Sequence, residues 1–169
     1  MQTIRKLLDK TVMCICMVLF IEMTIVGTYQ IVSRYFFNSP STVSEEIVTY
    51  SFTWLSILAA AFVFGKRGHL AMTFLSGKFH GASKVFLDMF SEILVVLTAL
   101  SLLVYGGYIM AVENADQLTN SLTISMGAVY SILPISGTII VIYGLLNIVD
   151  LFKKLGSPDL AKYGAGYED

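Results

Sequence analysis

Residues 47–64 read IVTYSFTWLSILAAAFVF, a run in which no side chain carries a charge. A helix needs about 20 mainly apolar residues to cross the roughly 30 Å of hydrocarbon in a bilayer. This run therefore predicts a membrane-spanning helix. Its small side chains at Ser56, Ala59 and Ala60 predict a face on which another helix packs closely.

Three further runs of the same kind occur along the chain. Residues 11–33 contain one charged side chain, and residues 93–112 and 117–149 contain none. Over the whole chain, 56% of the residues are hydrophobic and 14% are charged, against roughly 25% charged in soluble domains. We predict an all-α integral membrane protein with four transmembrane helices, forming one membrane domain over residues 1–169. The predicted spans are about 11–33, 44–64, 85–111 and 122–150, followed by a flexible tail, 155–169.

The cations of the chain are concentrated in alternate connections. The N-terminus, the middle loop and the C-terminus carry three, four and three Lys or Arg residues. The first connection carries only Arg34, and the third carries none. Because loops rich in Lys and Arg stay on the cytoplasmic side, we predict that both termini are cytoplasmic.

Two local signals mark helix boundaries. Thr42 followed by Glu45 predicts a capping box at the start of the second span, and Glu46 adds a second carboxylate to its first turn. Pro134 predicts a kink or local unwinding of the fourth span near Ile132.

The middle loop holds both histidines of the chain. Between His69 and His80, apolar residues recur at helical spacing, which is compatible with a short interfacial helix whose Lys78 and Lys84 face lipid phosphates. Haem-binding membrane anchors place their axial histidines within spans, whereas these two lie in the loop. One alternative is that the chain anchors a redox enzyme in the membrane, but its predicted spans contain no histidine that could bind haem.

Glu22 is the one ionisable residue deep within a predicted span. A charge at the centre of such a helix costs about 2.5–3.5 kcal/mol, so the carboxyl group should face protein or be protonated. It serves either as a structural contact to a neighbouring subunit or helix, or as the proton site of a self-sufficient four-helix exporter. Because no His, Lys or Asp accompanies it deep in the other spans, the structural contact is favoured.

The chain has neither a phosphate-binding glycine loop nor a nucleophile paired with a base. We therefore predict no enzymatic activity and no catalytic, cofactor or metal site. Nucleic acid is not an expected partner either.

Several short motifs, in this order, resemble the small permease subunit of tripartite ATP-independent periplasmic (TRAP) transporters. They are SRYFFN at residues 33–38, EEI at 45–47, Tyr50, Phe52, Trp54, Leu55, GHL at 68–70 and PISG at 134–137. The chain departs from the pattern at Thr49, where a basic residue is expected, and at Ala59, where glycine is common.

The resemblance implies a non-catalytic scaffold in the bacterial inner membrane. It would brace a large multi-span subunit that binds substrate and sodium, while a periplasmic binding protein captures a carboxylate such as a C4-dicarboxylate or sialic acid. The expected contacts with the large subunit are Glu22, Arg34, Glu45, Glu46, Trp54, Ser56, Ala60 and His69. Glu113 and Asp116 are expected to help dock the binding protein, and lipids surround the spans.

Overall fold

The computed structural model of the protein describes residues 2–66 and 82–155, and within them the chain is almost entirely helical. This confirms the predicted all-α class. The long helices are α1 (Gln2–Phe36), α2 (Thr42–Gly65), α3 (Ala82–Thr98) and α6 (Ile132–Leu155). The short helices are α4 (Gly107–Glu113) and α5 (Met126–Tyr130), and a π-helical segment, Ala99–Gly106, joins α3 to α4.

Four helical segments are long and apolar enough to cross a membrane by their length and composition. They are Arg5–Phe36, Thr42–Gly65, Ser83–Glu113 and Met126–Lys153. The chain is therefore a multi-pass membrane protein with the predicted number of spans. The third segment contains α3, the π-helical segment and α4, and the fourth contains α5 and most of α6.

Helix α6 lies at the centre of the bundle, where it packs against α2, α3 and the π-helical segment. Helix α1 packs along α2. The buried core cluster consists of Ala61 on α2, Ala99 in the π-helical segment and Ile140 on α6, and its two alanines let these elements approach closely. We call the end where α1 and α3 begin and α2 and α6 end the terminal end. The loop end is the opposite one, with residues 37–41 and 114–125.

The third and fourth spans both depart from regular α-helix where they meet. Ser131 separates α5 from α6, which confirms the break predicted from Pro134. Pro134 is the third residue of α6, where a backbone N–H has no intrahelical partner, so proline is tolerated there. Opposite lies the π-helical segment: a Cβ added to Gly137 would lie 2.7 Å from Cβ of Leu103 and 2.9 Å from Cγ2 of Val104. Only glycine fits this close approach.

The cap of α2 differs from the prediction. Ser41, not Thr42, is the N-cap residue, and its hydroxyl accepts a hydrogen bond from the Ser44 backbone N–H at 3.3 Å. The capping box expected between Thr42 and Glu45 is therefore wrong, because the extended backbone that a cap requires occurs one residue earlier, at Ser41.

The predicted interfacial helix, with His69, His80 and Lys78, lies outside the described residues, and so does the tail from residue 156 onward. Lys84 is described, and it differs from expectation. It lies in the first turns of α3 with only 7% of its surface exposed, so it is packed within the protein rather than turned to lipid phosphates.

Candidate functional site

A buried polar network joins all four spans at the terminal end. Its centre is Asn147 of α6, which is fully buried. The side-chain oxygen of Asn147 accepts a hydrogen bond from the Arg5 guanidinium of α1. Its Nδ2 donates to Oε1 of Glu92 on α3 at 2.9 Å and lies 3.5 Å from the Gly65 carbonyl oxygen of α2. One amide side chain thus connects four helices.

Further contacts of α1 strengthen this network. Arg5 also donates to the Gly65 carbonyl oxygen at 3.2 Å and forms an ion pair with Asp150 at 3.3 Å. One helical turn further along, Asp9 accepts a hydrogen bond from the Tyr143 hydroxyl at 2.6 Å. A Cβ added to Gly65 would lie 2.6 Å from the Tyr143 ring, so α2 and α6 approach closely only because residue 65 is glycine.

The arrangement can hold helices together. The Asn147 amide bridges the half-buried guanidinium of Arg5 and the buried side chain of Glu92, so both form a hydrogen bond. Sequence analysis did not predict this network, because it used the cations of the N-terminus, Arg5 among them, only to orient the chain. A signal was present: Tyr143, Asn147 and Asp150 recur at i, i+4 and i+7, on one face of α6.

Glu46 ties the loop end together. Both of its carboxylate oxygens lie 3.1 Å from the backbone nitrogen of Ser121, and one accepts from the Leu122 N–H at 3.0 Å. The next residue, Thr123, has a φ of 54°, a left-handed conformation that is costly for a β-branched side chain. The two bonds to Glu46 hold the backbone directly before this strained residue.

Trp54 makes a second contact between α2 and the fourth span. Its indole Nε1 donates to the Val129 carbonyl oxygen at 3.1 Å, close to the break before α6. The Tyr50 hydroxyl lies 3.9 Å from the Met126 sulfur. Trp54 and Glu46, which the sequence analysis assigned to contacts with another subunit, both form hydrogen bonds within this chain.

An apolar cavity of about 410 Å³ lies near the hydrogen bond of Trp54, and we call it the slot. Helix α2 forms its floor with Ile47, Tyr50, Ser51 and Trp54. Leu19 of α1 lines one side, and α5 with the loop before it lines the other. The slot therefore separates α1 from α5.

Glu22 lies on α1 with its side chain half-buried. Its Oε2 atom is buried and has no hydrogen-bond partner among the residues that the structure describes. A buried carboxyl oxygen within a span needs a hydrogen-bond partner, which residues 2–66 and 82–155 do not supply.

The other predicted site residues are spread over the surface of the bundle and form no single cluster. Those with exposed side chains are Arg34, Glu45, Ser56, Ala60, Glu113 and Asp116. His69 lies outside the described residues. Within residues 2–66 and 82–155, no group of three or more His, Cys, Asp or Glu side chains is placed to hold a metal ion.

Comparison with known proteins gives a consistent result. Residues 23–154 match the family model described as the DctQ component of tripartite ATP-independent periplasmic transporters. The chain is 28% identical over 155 residues to the sialic acid TRAP transporter small permease protein SiaQ of Vibrio cholerae, covering 92% of this chain and 89% of that protein. It is 24% identical over 140 residues to a protein of Haemophilus influenzae named as a TRAP transporter small permease, covering 83% and 86%.

Proposed function

The chain belongs to the DctQ component family of tripartite ATP-independent periplasmic transporters, and from this membership we propose that it is the non-catalytic scaffold subunit of such a transporter. It braces a large transport subunit in the bacterial inner membrane, with both termini cytoplasmic. Transport by the complex is coupled to sodium and moves a carboxylate solute, of the sialic acid or C4-dicarboxylate class. The name of the Vibrio cholerae relative supports the first of these solutes.

One observation carries the scaffold role: the network around Asn147 uses charged side chains of this chain to connect its own spans. A transport site needs polar groups that are released to bind solute or ions, and inside membranes such groups mark the pathway. Arg5 and Glu92 are instead engaged with the Asn147 amide. A rigid bundle of this kind suits a part that stays fixed while its partner moves.

The face of α2 that carries Ser56, Ala59 and Ala60 is the proposed contact with the large subunit. All three side chains are exposed, so the packing of this chain leaves their small surfaces uncovered. Small residues let helix backbones approach closely in membranes, where packing drives association.

Co-purification in mild detergent tests this contact. Ala60→Leu should reduce recovery of the large subunit with this chain, because the added side chain keeps the partner helix away. Gly27→Leu on α1 is the matched control, since a Cβ there meets no atom within 4 Å. Equal recovery for Ala60→Leu and wild type would place the contact on another face. Coupled uptake of a carboxylate by vesicles holding this chain alone would contradict the scaffold role itself.

The proposed docking of the periplasmic binding protein uses Glu113 and Asp116. Both side chains are exposed at the loop end. Complementary charge mainly raises the rate of association, and salt screens it over roughly 8–10 Å. Reversing both residues to Lys should therefore slow uptake at limiting binding protein, and less so at high salt. Superimposable uptake curves for the two proteins would exclude a docking role for these charges.

A further inference from the structure

We propose that the slot between α1 and α5 binds the acyl chain of a bilayer lipid. Its volume of about 410 Å³ lies within the roughly 300–1,000 Å³ typical of ligand pockets. Its floor belongs to the span Thr42–Gly65, and Leu19 belongs to the span Arg5–Phe36. The slot is thus built largely from membrane-spanning residues and opens among lipids.

The floor of the slot runs along one face of the span. Ile47, Tyr50, Ser51 and Trp54 recur at i, i+3, i+4 and i+7, so they form one stripe on α2. At a rise of 1.5 Å per residue, this stripe is about 10 Å long and parallel to the helix axis. Acyl chains run in the same general direction as a spanning helix, so an extended hydrocarbon chain can lie along this stripe.

The chemistry of the slot also favours hydrocarbon. Two of its polar side chains are engaged within the protein: the Trp54 indole donates to the Val129 carbonyl oxygen, and the Ser131 hydroxyl donates to the Ala128 carbonyl oxygen at 2.7 Å. A polar ligand would lose hydrogen bonds to water and find few in return. A buried water needs two to four polar partners, so water does not suit this site either.

Hydrogen bonds of Trp54 and Glu46 fix one wall of the slot in place. Trp54 fixes the position of α5 through Val129, and Glu46 fixes the loop that contains Leu122. An unfilled gap beside these walls would forfeit dispersion contacts on every lining atom. The surrounding bilayer offers hydrocarbon at very high concentration, so an acyl chain restores those contacts.

Trp54 provides a direct test, because it is the only tryptophan in the chain and lines the slot. The full chain is reconstituted in phosphatidylcholine vesicles whose acyl chains carry bromine, which quenches tryptophan fluorescence on contact. Trp54 lies about 18 Å along α2 from Thr42, and half the hydrocarbon is about 15 Å thick. We expect strong quenching that is largest for bromines placed deep on the acyl chain, relative to unlabelled vesicles.

Filling the slot should remove this quenching. Ala128→Phe and Ser51→Leu each add volume inside the slot, and each should lose most of the quenching. Either variant suffices if the other fails to elute as a folded species. Ala59→Phe is the control, because Ala59 is exposed on α2 and does not line the slot. It should quench like the wild type.

Three results would overturn the proposal. Wild-type fluorescence that brominated lipids leave unchanged would show that no acyl chain reaches Trp54. Quenching that survives in the folded filled variants would show that lipid reaches the indole by another route. Quenching by aqueous acrylamide in place of brominated lipid would show that water fills the slot. The measurement uses this chain alone, so its result is independent of the proposed role in the transporter.

Discussion

The two ends of the bundle are held together by different means. At the terminal end, Asn147 and its partners draw α1, α2, α3 and α6 together through buried polar contacts. At the loop end, Glu46 and Trp54 tie α2 to the fourth span, while α1 stands apart across the apolar slot. Helix α1 is therefore hydrogen-bonded to α6 at the terminal end and separated from α5 toward the loop end.

This contrast shows what polar contacts contribute in a membrane. Lipid tails are as apolar as leucine, so hydrophobicity does not draw helices together there, and packing and hydrogen bonds decide which helices meet. Where Arg5 and Asp9 supply such bonds, α1 is joined to α6. Around Leu19, α1 has no such bond to α5 among the described residues, and an apolar opening is the result.

The largest expected effect is that of breaking the terminal end at its centre. Asn147→Leu keeps the approximate volume but removes the hydrogen bonds to Arg5 and Glu92. Hydrogen bonds to charged groups contribute about 1.5–3 kcal/mol each. Arg5 keeps its contacts with Gly65 and Asp150, so we expect the free energy of unfolding, measured by titration with a denaturing detergent, to fall by about that amount for each hydrogen bond lost.

Asn120→Leu is the matched control for this substitution, since Asn120 is exposed in the loop. It should leave stability within about 0.5 kcal/mol, as most surface substitutions do. Equal unfolding curves for the two variants would mean that the network does not hold the terminal end.

A smaller effect is expected where α2 and α6 touch. Gly65→Ala places a methyl group 2.6 Å from the Tyr143 ring, which must move away from Asp9. Overpacking of this kind costs about 1–3 kcal/mol. Gly27→Ala adds the same methyl group to α1 in open space and should be neutral or stabilise by up to about 1 kcal/mol. If both variants unfold alike, the close contact is not a constraint on the bundle.

At the loop end the expected effect is local. Glu46→Gln keeps one acceptor oxygen but removes the charge that strengthens the bonds to Ser121 and Leu122. A typical hydrogen bond contributes about 0.5–1.5 kcal/mol, so hydrogen exchange of these two amides should accelerate by roughly two- to tenfold. Glu45→Gln changes an exposed neighbour and should leave both rates unaltered. Unchanged exchange in Glu46→Gln would show that the loop is held by other contacts.

The smallest expected effect concerns Glu22, on the part of α1 beyond the terminal network. Glu22→Gln retains hydrogen bonding and removes only the ionisable group. If the residue is a structural contact, the assembled transporter should keep its uptake rate. Glu92→Gln is a useful comparison, because it removes a charge from the terminal network and should lower stability. Loss of uptake by a fully assembled Glu22→Gln complex would instead assign this residue a proton-coupling role.

The part of the fold that sequence predicts is local in origin. Four spans follow from long apolar runs with at most one charge, such as residues 47–64, because the apolar character of a run is a property of its own residues. The break after Ser131 follows from Pro134 for a similar reason, since a missing N–H and a rigid ring act within one turn. The family resemblance likewise rests on short motifs along the chain.

The candidate sites were harder to predict. Glu46 and Trp54 were identified as residues that make contacts, but their partners are in the loop and in α5, more than seventy positions away. Arg5 was interpreted through its charge alone. Its partner Asn147 is separated from it by nearly the whole chain, and no local pattern in α1 indicates that pairing.

By itself, the sequence determined that this chain crosses the membrane four times, because each span is a property of its own residues. The tertiary structure decided which polar groups are paired inside, that Glu92 is buried, and where α1 parts from α5 to leave the slot. Those outcomes depend on how helices pack against one another. In a bilayer, that packing is set by the shapes and hydrogen bonds of distant residues, which apolar composition does not encode.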